Sequence, residues 1–413
     1  MKQIATYLSL TFAILFLSVP HAEAQWTQGS LAETIFCFTT APNGTGGTYL
    51  FAGTAGSGIY RSANNGNSWT ACNSGLTDYP NFTVRAFAVS GSELYAGTYG
   101  GGVFLSNNNG ASWTAVNYGL TNLGVFTVVV FGSNIVAGTY GGGVYFSNNN
   151  GASWTAMNTG LASLNIQTLA VCGTDLYVGT TSAAVYRLAS NGSSWVPFSS
   201  GLGTTYTVFE LTAFGTKLFA ATNFGVYLST NGGAWKPRNT GIPAFVFAQA
   251  FEKSGSNFFV GTQASGVYIS TDSGKNWTAV NTGLTNTWIR ALIVKGNKLH
   301  AATQGDGLWS RPLAQMPKDI SSEYIPEQIS LHQNYPNPFN PTTTITYSLP
   351  EDGLVKLRVF DSYGRVVSEL ENGTMPAGTY NVAFDARSLP SGTYFYRLET
   401  KEQILTRSML LMK

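Results

Sequence analysis

Short runs in which apolar and polar positions alternate, separated by glycine, asparagine and serine, follow one another along most of the chain. Glu93-Leu94-Tyr95-Ala96 and Gly102-Val103-Phe104-Leu105 are examples. Alternation with a period of two marks half-buried strands, and none of these runs has the length or spacing of an amphipathic helix. The runs also repeat. A phrase made of Gly-Thr, a short gap, Gly-Val-Tyr and Ser-x-Asn-x-Gly-x-x-Trp recurs, and its threonine falls at Thr54, Thr98, Thr139, Thr180, Thr222, Thr262 and Thr303. A period near 42 residues holding several short strands fits one four-stranded propeller blade per copy, and seven copies predict seven blades. In the second copy the strands are predicted as A (84–89), B (94–97), C (102–106) and D (113–117). The last copy ends at Leu308-Trp309-Ser310-Arg311 without a D-strand phrase, whereas Trp26-Thr27-Gln28-Gly29 resembles one. The N-terminal segment is therefore expected to supply the missing strand of blade seven and close the ring, which removes open sheet edges.

The turn between strands C and D resembles the Asp box of bacterial neuraminidase repeats and related propellers. It reads Ser62, Asn64, Gly66, Trp69, then Ser106, Asn108, Gly110, Trp113, then Ser147, Asn149, Gly151, Trp154, and returns as Ser270, Asp272, Gly274, Trp277. Blade four departs from it with Leu188 and Ser190, and blade five is one residue short between Ser229 and Trp235. An Asn or Asp oxygen caps backbone N–H groups of such a turn, glycine takes a positive φ, and tryptophan buries its ring. These residues are read as scaffold, and no neuraminidase activity is carried over with the resemblance.

The ends of the chain differ from its middle. Lys2, the apolar run Leu8 to Val19 and Ala22-Glu23-Ala24 read as a signal peptide over residues 1–24. The run falls short of the roughly 20 apolar residues of a membrane span, so no transmembrane segment is expected in the mature chain. The propeller is assigned to 25–314 and a linker to 315–328. Residues 329–413 resemble the C-terminal sorting domain of type IX secretion substrates of Bacteroidetes and related bacteria. The resemblance rests on Asn334-Tyr335-Pro336-Asn337-Pro338-Phe339-Asn340-Pro341, on Leu357-Arg358-Val359-Phe360-Asp361 with Gly364, on Gly378-Thr379-Tyr380 and on the terminal Leu410-Leu411-Met412-Lys413. It implies recognition by the type IX machinery, passage through the periplasm and outer membrane, and secretion or display at the cell surface. Early prolines and alternating runs such as Val355 to Val359 independently predict a small β-sandwich. The expected fold is thus all-β, a seven-bladed propeller followed by a small C-terminal sandwich.

Composition narrows the chemistry. Charged residues make up 10% of the 413, and 22 basic against 20 acidic residues leave a net charge of +2. That balance gives no basic stripe for nucleic acid. Three histidines and three cysteines argue against multi-histidine metal sites and zinc knuckles, and no cofactor is expected. Cys37, Cys72 and Cys172 lack a framework spacing and read as buried free thiols.

Propeller ligands usually sit where the A strands begin, at the mouth of the central channel. Thirteen residues before the repeated threonine, blades two to seven carry Arg85, Phe126, Gln167, Phe209, Gln249 and Arg290. The B-to-C turns add Tyr99, Tyr140, Asn223, Phe224, Gln263, Gln304 and Asp306. Rings that stack and amides that make directional hydrogen bonds suit a glycan or a polypeptide segment. A plain channel plug is the alternative reading of the same residues.

Catalysis has few candidates. A common glycosidase needs two carboxyl groups roughly 5 to 10 Å apart, and of the acids in 25–314 only Asp78, Glu210 and Asp306 are placed near the mouth by the strand assignment. Two mouth arginines, without a Phe-Arg-Ile-Pro motif, do not match the neuraminidase set, and His300 lies inside a B strand. Two-domain xyloglucanases with similar repeats place paired aspartates between two propellers, whereas one propeller is expected here. The repeat pattern also resembles the photosystem II assembly factor propeller, which implies a docking platform as a mode of action. The reading is a non-catalytic binding propeller, and a glycoside hydrolase or lyase acting on extracellular polysaccharide is the alternative.

Overall fold

The computed structural model describes residues 25–76, 83–182, 185–190, 192–203, 205–317, 328–351, 353–375 and 378–413. The signal-peptide assignment falls outside these residues, as does most of the segment assigned as a linker. Seven four-stranded antiparallel sheets follow one another from Thr27 to Pro312. In the second, strand A is Val84–Ser90, B is Glu93–Thr98, C is Gly102–Ser106 and D is Thr114–Ala115. The D strand is shorter than predicted because its ends turn to other partners: Trp113 N donates to the Ser74 carbonyl of the preceding blade, and beyond the Val116 N to Val103 O bond a side chain takes over. Asn117 Oδ1 accepts from Val103 N at 2.8 Å, and its Nδ2 donates to the Gly101 carbonyl. Asn73, Asn158, Asn239 and Asn281 accept the corresponding amide in their own blades.

The ring is closed. Strand A of blade seven, Ile289–Lys295, packs beside strand A of blade one, Ile35–Pro42. Thr27–Gln28 pairs with Gly307–Pro312 in the register Thr27 to Ser310 and Gln28 to Trp309, as the fourth strand of that sheet. Trp26, 1% exposed, enters the core of that blade.

The repeated Gly-Thr has a physical basis on both residues. The threonine hydroxyl donates to the carbonyl of the glycine that ends the B-to-C turn, as in Thr98 to Gly102 at 2.9 Å, and five other blades show the same bond. The glycine lets the next blade approach. A Cβ on Gly97 would lie 2.7 Å from Val125 Cγ1 and 2.9 Å from Val128 Cγ2 of blade three. Each hydrophobic cluster accordingly spans two neighbouring blades, for example Ala88, Tyr95 and Val103 against Val125, Ile135 and Trp154. The free energy of burial therefore accrues only when blades stack.

The thiols are free, as expected, but of the three only Cys72 is buried. Cys37 lines the central cavity and Cys172 is partly exposed at the end of its strand.

After the last blade, Leu313–Gln315 forms a turn of 3-10 helix and Met316 packs into the blade-seven core. Two further sheets follow. One contains Ser330–Leu331, Thr342–Leu349 and Gly378–Asp385, and the other orders Val366–Met375, Gly353–Phe360, Gly392–Glu399 and Ile404–Leu411. Their inner faces share one core that includes Phe339, Ile345, Tyr347, Val355, Leu357, Tyr396 and Leu411, which is the expected sandwich. Among the described residues, no helix is long and apolar enough to cross a membrane.

Candidate functional site

Every A strand carries a β-bulge at the same place. Its register shifts between Ile35 and Cys37, Val84 and Ala86, Val125 and Thr127, Ile166 and Thr168, Val208 and Glu210, Ala248 and Ala250, and Ile289 and Ala291. A bulge leaves one residue outside the ladder and re-aims its side chain. Those residues are Phe36, Arg85, Phe126, Gln167, Phe209, Gln249 and Arg290, and all seven line a central cavity of about 580 Å³. The sequence reading found six of them. Phe36 escaped because the A-to-B connection of blade one is longer, running from Pro42 to Thr48, so counting back from Thr54 lands elsewhere.

The rings and guanidinium groups form one connected wall. Arg85 Cζ lies 4.2 Å from the Phe126 ring centroid and 4.4 Å from that of Phe36. Arg290 Cζ lies 5.7 Å from the centroid of the same Phe36 ring and 4.6 Å from that of Trp288. Phe126 stacks on Tyr140 at 5.3 Å and meets Tyr99 edge-on at 5.7 Å. Cation–π contacts of this kind are worth about 0.5–2 kcal/mol each, more as water is excluded. Burial pulls Arg85 down to about 10, and the positive charge of Arg290 adds to the effect. Arg290 is also lowered by burial.

Tyr99 and Tyr140, each about half exposed, are held at the rim by their turns. Gly100 and Gly102 N–H groups both donate to the Leu123 carbonyl, and Gly141 and Gly143 repeat this on Leu164. Gln263 lines the cavity, while Gln304 reaches it through Arg290, whose Nε donates to Gln304 Oε1 at 2.6 Å. Asp306 does not line the cavity, and its carboxylate accepts from Thr285 Oγ1 at 3.0 Å. Asn223 is used structurally, accepting from Thr207 N, and Phe224 stacks on Tyr206. Asp78 falls outside the described residues.

One cavity acid is present among the described residues. Glu210 Oε2 accepts from Phe251 N of the next blade at 3.0 Å. Thr127 and Thr168 make the corresponding bond to Leu169 and Leu211. Burial raises the Glu210 carboxyl to about 8, and the nearby Glu252 pushes it the same way. Glu252 is itself raised to about 7 by burial, and its two oxygens accept from Lys253 N and Val294 N. His300 is buried in its B strand, bonded through Nδ1 to Ser310 Oγ.

The Asp-box residues stand in the C-to-D turns. Ser106 Oγ donates to Asn108 Oδ1 and accepts from Gly110 N, and Asn108 Oδ1 also accepts from Ser112 N at 2.9 Å. Ser62-Asn64-Gly66, Ser147-Asn149-Gly151 and Ser270-Asp272-Gly274 repeat this pattern. The residue before the glycine also has positive φ, 57° at Asn109 and Asn150, which suits asparagine. Trp113, Trp154 and Trp277 send their indole N–H into the preceding blade, to the carbonyls of Cys72, Val116 and Arg238, whereas Trp69 turns its own to Gly66.

In the C-terminal sandwich the motif residues are structural joints. Asn334 is 2% exposed, and its amide donates to the Pro336 carbonyl and to Thr343 Oγ1. Asn337 Oδ1 accepts from Leu410 N, and buried Phe339 bonds both Leu410 and Met412 through its backbone. Asp361 closes the turn that ends at Gly364 (φ 78°), and Lys413 Nζ reaches the Arg387 carbonyl. Tyr335 is exposed between the buried anchors.

Residues 333–412 match the family described as the secretion system C-terminal sorting domain. No curated protein sequence matches the chain. Among solved structures, YCF48 from Cyanidioschyzon merolae is 12% identical with a TM-score of 0.56 over 70% of this chain and all of that one. YCF48 bound to a D1 peptide is 13% identical, TM-score 0.56, covering 73% of this chain and 97% of its own. The GH74 xyloglucanase from Xanthomonas campestris is 18% identical, TM-score 0.55, with 78% of this chain spanning 59% of that enzyme. Identities this low speak for the fold alone. The protein is a seven-bladed β-propeller that carries a type IX secretion sorting domain and is exported to the cell surface or beyond.

Proposed function

We propose that the exported propeller is a non-catalytic binding module whose ligand, a glycan or a polypeptide segment, enters the central cavity. The observation that carries this is the bulge in every A strand. Seven side chains are turned out of their ladders into one space, and they are rings, amides and guanidinium groups. The side chains of Gln167, Gln249 and Gln263 make no hydrogen bond within the described residues, so their donors and acceptors are free to bind a ligand. Tyr99 and Tyr140 extend the aromatic wall to the rim. One propeller of this fold has been seen with a peptide bound.

The enzyme reading draws support from Glu210, a cavity carboxyl raised into the range of a general acid. Among the described residues it has no facing partner: Glu210 is the one carboxylate of the lining, and Asp306 stands off the cavity. Titration of the purified propeller against glycan and peptide arrays, with release of reducing sugar measured in parallel, tests both readings. Saturable binding lost in Phe126→Ala or Tyr99→Ala without turnover supports the binding module. Turnover abolished by Glu210→Gln or Asp78→Ala overturns it.

A further inference from the structure

Arg85 and Arg290 both stand over the Phe36 ring, their Cζ atoms 4.4 and 5.7 Å from its centroid, half-buried and near enough that the charge of Arg290 acts on Arg85. Neither forms an ion pair among the described residues, whose salt bridges lie at Arg187, Arg358, Arg365, Arg387 and Arg397. Arg290 satisfies its Nε on the amide oxygen of Gln304, a neutral group, and the Arg85 guanidinium has only ring faces. Two like charges drawn together out of water without a counter-charge cost free energy that folding does not repay locally. A site of this kind is completed by an anion, and a planar guanidinium pair presents forked donors to an oxyanion.

The surroundings say what carries that anion. The rest of the lining offers ring faces, the Glu210 carboxyl, which burial raises to about 8 and so holds largely protonated at neutral pH, and three unengaged amides, each able to donate and to accept, as vicinal hydroxyl groups also do. A cavity of about 580 Å³ holds a few sugar rings, and it is walled on all sides by A strands. Resting on the binding reading above, we propose that Arg85 and Arg290 form an oxyanion subsite for an acidic sugar, either a uronate carboxylate or a sulfate ester.

Calorimetric titration of the full mature chain with three oligosaccharide ladders tests this: neutral galacto-oligosaccharides, oligogalacturonates and sulfated carrageenan oligosaccharides. A C-terminal-carboxylate peptide pool serves as the competing class. One acidic ladder is expected to bind at least about tenfold tighter than the neutral one, since a charge-assisted pair is worth that much. The preference should shrink as salt is raised and vanish in Arg85→Gln and Arg290→Gln, with melting temperatures showing that both variants fold. Arg290→Lys, which keeps charge and loses the fork, should retain part of it. The uronate and sulfate ladders separate the two sources of the oxyanion. Equal affinity for acidic and neutral sugars, an unchanged preference in both Gln variants, or binding of peptides alone each overturns the acidic-sugar subsite while leaving a binding cavity in place. Absence of any ligand in all four arms overturns both.

Discussion

Trp26 Nε1 donates to the carbonyl of Val280 at 2.5 Å, across 254 residues of sequence. The same indole-to-carbonyl bond joins Trp113, Trp154, Trp195, Trp235 and Trp277 to the preceding blade. Trp26 N also donates to Thr282, as Trp113 N does to Ser74. The N-terminal segment thus repeats, at the seam, the contact that the D strands of blades two to six make within the covalent repeat.

Removing residues 25–34 should therefore open the ring at blade seven and lower the melting temperature sharply. Trp26→Phe keeps one aromatic ring but loses a hydrogen bond and part of the buried indole volume, so it should cost about 1–3 kcal/mol. Thermal unfolding by circular dichroism checks both, and an unchanged melting temperature in the deletion would remove the closure from the account of stability.

The C-to-D turn depends on an oxygen at the Asp-box position, and the charge is dispensable. Asn108→Asp should be nearly neutral, because Asp272 makes the same bonds in blade six. Asn108→Ala leaves Ser112 N and Ser106 Oγ without their acceptor and should cost about 1–2 kcal/mol. Chemical denaturation of the two variants beside the parent would show equal losses if the turn were held in some other way.

Glu210 gives stability a pH dependence of definite sign. Its folded carboxyl is raised by burial to about 8, above the ordinary 4.5, so between these values the folded chain holds a proton that the unfolded chain has released. Stability must then fall as pH rises through that window. Glu210→Gln keeps an oxygen for Phe251 N and removes the titration, so its advantage over the parent should grow from pH 5 to pH 8. Parallel melting curves for the two proteins across that range would contradict the assignment.

Export should depend on the C-terminal sandwich as a folded unit. A chain ending before Asn334 is expected to remain in the periplasm, and Asn334→Ala, which removes the buried bonds to Pro336 and Thr343, should reduce surface delivery. Cell fractionation with an antibody to the propeller measures both. Normal delivery of the truncated chain would refute the sorting role.

Much of this was legible because a repeat states its rules seven times. The period, the blade count, the closing strand and the C-to-D turns follow from residues such as Thr98, Asn108 and Trp113, whose local chemistry is the same wherever they recur. The low charge has the same origin, since asparagine fills most of the turn caps where aspartate could stand. Positions that break the repeat were harder to read. Phe36 belongs to the bulge ring, but the longer connection in blade one hides its register. Trp288 joins the arginine wall from a connection between blades, where no repeat position announces it. Glu210 looks like a catalytic candidate in sequence, and in the fold it takes the blade-to-blade bond that threonine makes in blades three and four.

The sequence by itself determined the all-β class, the seven-fold count and the sorting tail, because hydrophobic alternation and turn chemistry act within a few residues of where they are written. Only the tertiary structure decided which side chains meet. Bulges rotate one residue per blade into the channel, and ring closure sets Arg85 of blade two and Arg290 of blade seven around Phe36 of blade one, 205 residues apart in the chain and near neighbours in space.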